Sequence, residues 1–175
     1  VLIQHEGKQI VGQLKGITQE SLDKQSKEHI LHIGNFQIKA DSTNYALIGP
    51  QIQTNLQVPI SEFNNTIDLY FPRKESSVNN INPLEDFNIR QIAVNGILTF
   101  EPEFQNLVIL PLDFARDILG EDKAISAVEL FLKDPSESYA LQKEIQKKLG
   151  QDFQVKNREQ QNPTLYKTIK SEKWI

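Results

Sequence analysis

Few of the residue types that do chemistry lie close together in this sequence. His29 and His32 are three residues apart, a spacing at which two imidazoles can share a helix face and bind zinc. No carboxylate is placed to complete such a site, so the pattern favours two surface histidines. Glu101 and Glu103 flank Pro102. Without a histidine or a buried setting, this pair is typical of a solvated turn rather than of general acid–base catalysis.

Other kinds of reactive site are excluded by what the sequence lacks. The chain has no Cys, which removes disulfides, thiolate metal ligands and cysteine nucleophiles. It contains no Gly-x-Ser-x-Gly, no phosphate-binding loop and no Gly-x-Gly-x-x-Gly. Gly12 and Gly16 lie on strand-like sequence and precede no strong helix, so they cannot cradle a phosphate in the usual way. We therefore expect a domain without catalytic activity and without a cofactor.

Composition indicates a folded domain with little attraction for nucleic acid. The chain has 175 residues, of which 24% are charged and 38% hydrophobic, an ordinary globular composition. The 19 Lys and Arg against 23 Asp and Glu leave a net charge of -4, so a nucleic-acid partner is not expected. No Met occurs, even at position 1, and no apolar run is long enough to span a bilayer. We expect a fragment of a longer protein, with any membrane segments outside it.

Local patterns predict an alternation of strands and helices. Alternating or short apolar runs predict strands at residues 66–71, 89–100, 107–110, 124–132 and 153–156. Capping residues and helical spacing predict helices after Thr18, from Pro50, over residues 111–119, from Asp134-Pro135 to Gly150 and from Asn162-Pro163. The second half therefore reads as β-α-β-α-β-α. Residues 72–88 form a long connection, and loops of this length within a domain are usually functional or disordered.

Four segments resemble, in chain order, the lipoprotein-releasing (Lol-type) ABC transporter permeases. Residues 13–17 (Gln-Leu-Lys-Gly-Ile) are similar to a strand and turn of that family, and residues 46–58 to its next strand and small helix. Residues 92–98 and 108–118 are similar to its "Val-x-Gly … Pro-Leu-x-x-Ala" run. Residues 127–135 and 155–174 resemble the stretch leading to its second membrane helix. The four segments cover nearly the whole chain.

The resemblance implies an α+β fold, the MacB-like periplasmic core domain. One α/β, porter-like subdomain would be built from about residues 1–45 and 120–175. A β-rich inserted subdomain would span about residues 46–119, with a protruding loop at residues 72–88. The family's domain begins with a further strand and helix, so part of one subdomain is expected to precede Val1.

The protruding loop is the expected partner-binding site. In the lipoprotein-releasing permeases it is a hairpin, called the hook, that holds a soluble periplasmic chaperone. Pro72 and Pro83 would limit its conformations, and Leu84 and Phe87 would be apolar anchors for a concave partner. The basic residues Arg73, Lys74 and Arg90 would meet acidic groups of that partner. The alternative is a disordered connection with one core phenylalanine.

The last residues suggest a link to the membrane. Lys173 and Trp174 end an amphipathic segment, and Trp suits a membrane–water interface. The resemblance implies a domain on the periplasmic face of the bacterial inner membrane that hands lipoprotein cargo to the chaperone. A partner permease subunit and a separate cytoplasmic ATPase would act through membrane segments. Two alternatives stay open: a related permease for efflux or cell-envelope signalling, and a secreted binding module with no transporter attached.

Overall fold

The structure of the chain is a computed structural model that describes residues 1–60, 65–73 and 86–161. It divides into two compact units, Val1–Ala124 and Ile125–Ile175. The first unit combines a large mixed sheet with several helices, and the second contains helices and coil among its described residues. The α+β class predicted from the sequence is therefore confirmed.

The first unit holds all nine strands found in the described part of the chain. The strands are β1 (Leu2–His5), β2 (Lys8–Val11), β3 (Gln13–Ile17), β4 (Leu31–Gly34), β5 (Lys39–Ala40), β6 (Thr43–Ile48), β7 (Thr66–Pro72), β8 (Phe87–Leu98) and β9 (Leu107–Pro111). The helices of this unit are α1 (Gln19–Asp23), α2 (Lys27–Ile30), α3 (Pro50–Leu56) and α4 (Leu112–Leu119). A short 3-10 helix, Pro102–Phe104, precedes β9.

The strands form one mixed sheet in the order β2-β1-β7-β8-β6-β9-β3, with β4 added to β8 and β5 to β6. The β3–β9 and β6–β8 pairs are parallel, and the other pairs are antiparallel. Strands from residues 1–45 and 46–119 thus share one sheet. The expected grouping of residues 1–45 with 120–175 in one subdomain stays a prediction.

The sheet closes on itself through residues 8–17, because β2 and β3 are two halves of one extended stretch joined at Gly12. Gly12 and Val1 exchange two backbone hydrogen bonds of 3.0 and 3.1 Å, which extends the β1–β2 pairing. The next residue, Gln13, donates its backbone N–H to the carbonyl of Asn106 over 2.7 Å, at the start of the β3–β9 pairing. Neighbouring residues of a strand direct their backbone groups to opposite edges. The stretch therefore pairs with β1 along one edge and with β9 along the other.

Two apolar clusters lie on the two faces of this sheet. In β6, Ala46 and Ile48 belong to the larger cluster, while Leu47 between them belongs to the smaller one. This follows from the two-residue period of a strand, which sends successive side chains to opposite faces. Ile52 of α3 and Ile118 of α4 complete the larger cluster, which we call the inner cluster. The smaller, outer cluster also takes in residues of α1 and α2.

Helix α4 packs closely on β3 because Gly16 lacks a side chain. A Cβ at Gly16 would overlap the Cβ of Ala115 and would lie 3.4 Å from the Cα of Leu112. The helix ends at Gly120, which adopts φ 65°, a left-handed conformation that glycine reaches without steric cost. The predicted helix over residues 111–119 and its glycine end are confirmed.

Replacing Gly16 with Ala is expected to lower the free energy of unfolding by about 1–3 kcal/mol. The added methyl group forces α4 away from β3 and disturbs the inner cluster on that face. Urea unfolding of the purified domain measures the effect. Gln13→Ala, at an exposed position of the same strand, is the matched control and is expected to change stability by less than about 0.5 kcal/mol. Equal stability of the two variants would contradict the close packing.

Most of the other elements predicted from local pattern are also confirmed. The hydroxyl of Thr18 accepts from the Ser21 backbone N–H at the start of α1, and Pro50 is the first residue of α3. Strands β7, β8 and β9 match the predicted strands at residues 66–71, 89–100 and 107–110 within two residues. Asp134 caps a 3-10 turn, Pro135–Glu137, that leads into α5 (Ser138–Leu149), and Gly150 ends that helix.

Two predicted strands of the second unit are wrong. Residues 124–132 and 153–156 are coil, so the β-α-β-α-β-α order fails there. A strand needs a neighbouring strand to satisfy its backbone groups, and the described part of this unit offers none. The side-chain amide of Gln146 on α5 pairs with backbone groups of this segment instead of a neighbouring strand. It donates to the Phe153 carbonyl and accepts from the Val155 N–H, each over 2.9 Å.

The second unit has no buried residue among residues 125–161. Besides α5, it contains the short helix α6 (Arg158–Gln161). The predicted helix from Asn162-Pro163 lies outside the described residues, and so do Lys173 and Trp174.

Candidate functional site

The long connection singled out in the sequence joins the two strands of an antiparallel hairpin. β7 and β8 pair from Thr66 opposite Ala93 to Pro72 opposite Phe87. One further backbone hydrogen bond, from the Arg73 N–H to the Asp86 carbonyl, measures 2.7 Å. The pairing therefore continues to the last described residue on each side. We call residues 70–73 and 86–89 the hairpin end.

The hairpin end extends past both neighbouring strands. On one side, β1 pairs with β7 only over residues 68–70. On the other side, β6 pairs with β8 only from Ala93 onward. In the described part of the chain, no third strand lies beside Phe71–Arg73 or Phe87–Gln91. The described hairpin end thus extends beyond the strands on either side of it.

Four of the predicted partner-binding residues lie on this hairpin in the structure. Pro72 and Arg73 are exposed at the end of β7, and Phe87 is half-buried directly opposite Pro72. Arg90 lies three residues farther along β8. The other three predicted residues, Lys74, Pro83 and Leu84, lie outside the described residues.

The outer face of the hairpin end is apolar. The rings of Tyr70 and Phe87 meet edge to face, with centroids 6.4 Å apart and planes at 76°. The strand register continues this surface sideways, since Ile89 lies opposite Tyr70, Tyr70 opposite Leu2, and Leu2 opposite Val11. Val11 is 71% exposed and Ile89 37%. We call Val11, Leu2, Tyr70 and Ile89 the apolar row.

The apolar row could not be recognised from the sequence, because its members come from four different strands. Each residue is an ordinary position in its own strand, and only the pairing registers of β1, β2, β7 and β8 bring them into line. The local signal that could have pointed to the row is the outward-facing Tyr70 in the alternating run of β7.

The inner face of the hairpin carries polar contacts to α4. The guanidinium group of Arg90 donates from Nε to Oδ2 of Asp117 over 2.5 Å and from Nη2 to Oδ1 over 3.1 Å. Two residues before it, Asn88 donates its side-chain amide to the carbonyl of Ile118 over 3.1 Å. Arg90 was expected to meet an acidic group of a partner. In the structure its charge is already paired within the chain.

The ion pair shifts the acid–base equilibria of both partners. The hydrogen bond from Arg90 holds the pKa of the Asp117 carboxyl below its ordinary value of 3.8, and the charge of Arg90 adds to this effect. The same hydrogen bond raises the pKa of Arg90. Because both side chains are about half exposed, we expect the pair to contribute no more than about 1 kcal/mol to folding.

The contribution of this pair to stability is expected to disappear in acid. Asp117 has a lowered pKa in the folded state, so its stabilising effect is complete above the unfolded pKa of about 4 and is lost as the pH falls through the lower folded value. The stability difference between the wild type and Asp117→Asn should therefore be constant from about pH 7 to pH 5 and shrink below about pH 4. Urea unfolding across this range measures it. A difference that grows in acid would contradict the pairing.

The other candidates for chemistry do not form a site. His29 lies in α2 and His32 in β4, so the two do not share a helix face, and the His32 ring packs instead against Phe100 at 4.9 Å. Glu101, directly before the 3-10 helix, and Glu103, within it, are both exposed, as expected for a solvated turn. Among residues 1–60, 65–73 and 86–161, no cluster of three or more metal-ligating side chains is present.

The chain matches no protein-family model, and the comparison with curated proteins finds no similar sequence. Within the described residues, no helix is long and apolar enough to cross a membrane. The β7–β8 hairpin, with the apolar outer face of its end, is the candidate binding site among the described residues.

Proposed function

We propose that this chain is the extracytoplasmic domain of an ABC transporter permease that releases lipoproteins from the bacterial inner membrane. The β7–β8 hairpin would be the hook that recruits the periplasmic lipoprotein chaperone. The observation that carries the proposal is that this hairpin extends past both neighbouring strands. It does so at the position where the permeases that this chain resembles have their hook. The same resemblance supports a MacB-like core as the finer description of the fold.

A projecting, largely uncharged hairpin end suits insertion into a concave partner. Phe87 and Tyr70 offer aromatic surface, which commonly supplies the energetic centre of a protein interface. Arg73 is exposed at the end of β7, where a basic group would speed the encounter with an acidic partner more than it would tighten the complex. In this proposal the domain itself is not catalytic. ATP hydrolysis takes place in a separate cytoplasmic subunit, reached through a permease partner and membrane segments.

Site-specific photocrosslinking tests the proposal directly. A photoreactive phenylalanine analogue is placed at Arg73, and in a control variant at Phe100, which is 64% exposed just beyond the other end of β8. Each domain is irradiated with the periplasmic lipoprotein chaperone of the same organism. We expect a crosslinked product from position 73 only. A folded domain that gives no product from either position would favour a permease for efflux or signalling, or a module with another partner.

A further inference from the structure

Two polar contacts, one within the hairpin end and one next to it, tie the hairpin to α4. The guanidinium group of Arg90 donates a hydrogen bond to each carboxylate oxygen of Asp117, and the Asn88 amide donates to the Ile118 carbonyl. That carbonyl belongs to the last turn of α4, where no following helical N–H is available to pair with it. The Asn88 amide of β8 thus pairs with a carbonyl at the end of α4 that would otherwise lack a donor, and the same contact restrains β8.

Helix α4 is also held in place by its packing on β3. It packs on β3 through the close approach of Ala115 to Gly16, and Ala115 and Ile118 are buried in the inner cluster. In the strand order, β6 and β9 lie between the hairpin and β3. The helix therefore forms a brace between β3 and the β7–β8 hairpin.

We propose that Arg90 and Asn88 are positioning residues, which set the direction of the hairpin through α4 rather than by touching a partner. This inference rests on the proposed function, since it concerns the same hairpin. A two-stranded ribbon is only marginally stable by itself. The direction of the hairpin end therefore depends on its contacts to α4 and on Phe71, which packs against the inner cluster. The planar guanidinium with two hydrogen bonds restricts that direction more than a single charge contact would. A hairpin held in one direction loses less conformational freedom on binding.

The positioning role and a direct contact role of Arg90 predict opposite effects for Asp117→Asn. If Arg90 met an acidic group of the partner, removing the Asp117 charge would free the guanidinium and strengthen binding or leave it unchanged. If Arg90 positions the hairpin, the same substitution weakens binding, although Asp117 lies on another element. The charge-reversed pair, Arg90→Asp with Asp117→Arg, restores binding only under the positioning role.

The test combines chaperone binding with hydrogen exchange of the unbound domain. For Asp117→Asn and Arg90→Gln we expect about three- to tenfold weaker binding and faster amide exchange in residues 70–73 and 87–90, with β6 and β9 unchanged. The charge-reversed pair should recover both readouts. Unchanged exchange in the single variants, or tighter binding by Asp117→Asn, would overturn the positioning role.

The two proposals fail in different ways. If the wild-type domain does not bind the chaperone, the proposed function is contradicted, while hydrogen exchange still decides whether the contacts to α4 hold the hairpin. If the wild type binds and the single variants bind equally well, the positioning role is contradicted and the proposed function is kept.

Discussion

Replacing Gly49 with Ala is expected to destabilise the domain by about 3 kcal/mol or more, at or beyond the upper end of the range for overpacked sites. Gly49 joins β6 to α3, and a Cβ at this position would overlap the backbone carbonyl oxygens of Phe104 and Gln105. Its φ of -67° and ψ of 153° suit any residue, so the expected loss comes from space and not from backbone conformation.

The clash at Gly49 cannot be relieved by rotating a side chain, because both opposing atoms belong to the backbone. That backbone is fixed by the hydrogen bond from the Gly49 N–H to the Leu107 carbonyl, 2.8 Å, and by the bond from the Gln51 N–H to the Gln105 carbonyl, 3.2 Å. Relief would have to separate α3 from the turn before β9 and open the inner cluster, to which Ile52 of α3 belongs.

Urea unfolding followed by circular dichroism measures the effect at Gly49. Gln51→Ala is the matched control, since Gln51 is exposed in the same helix and keeps its backbone hydrogen bond. It should shift the free energy of unfolding by less than about 0.5 kcal/mol. A Gly49→Ala domain as stable as this control would show that Gly49 does not lie against the backbone of residues 104–105.

Replacing Phe87 with Ala is expected to weaken chaperone binding about tenfold or more, as for a central aromatic residue of an interface. Phe87 lies on the outer face of the hairpin end, against Tyr70, and it belongs to neither apolar cluster of the described residues. Its removal should therefore cost little folding energy and act mainly on the complex.

Phe100→Ala is the matched control for Phe87. Phe100 is an exposed aromatic residue beyond the opposite end of β8. Among the described residues, its one aromatic contact is with the ring of His32. Titration of each variant with the chaperone, together with an unfolding curve, separates binding from stability. Equal affinity of Phe87→Ala and Phe100→Ala would remove Phe87 from the interface.

Elements of the first unit were predictable where a single residue type decides a local geometry. Thr18 caps α1, Pro50 begins α3, and Gly120 provides the left-handed residue that ends α4. In the run at residues 66–71, alternation was enough to identify a strand. These signals depend on backbone sterics and on one hydrogen bond, which act within a few residues of the chain.

The elements that sequence reasoning missed or misassigned depend on pairing between distant segments. Residues 124–132 alternate like a strand, yet the described part of the second unit offers them no partner strand. Closure of the sheet at Gly12 also depends on a partner far along the chain, because the stretch that pairs with nearby β1 must find β9 along its other edge. No local pattern encodes either outcome.

The β7–β8 hairpin was predictable in position, but its contacts were not. The length of the connection after Phe71 identified the hairpin, and Phe87 lies half-buried on its outer face. The binding role of Phe87 stays a prediction. The partner of Arg90 could not be foreseen, because Asp117 lies 27 residues farther along the chain on a helix whose packing is set by Gly16. The part played by residues 74–85 stays a prediction.

The central claim is that the β7–β8 hairpin binds the lipoprotein chaperone, and one titration tests it most directly. Residues 74–85 are replaced by a short Gly-Ser linker, which keeps the hydrogen bond between Arg73 and Asp86, and the binding of both domains to the chaperone is measured. We expect micromolar binding by the wild type and none by the replaced domain, with equal thermal stability. Equal binding by the two domains, or no binding by the folded wild type, would contradict the claim.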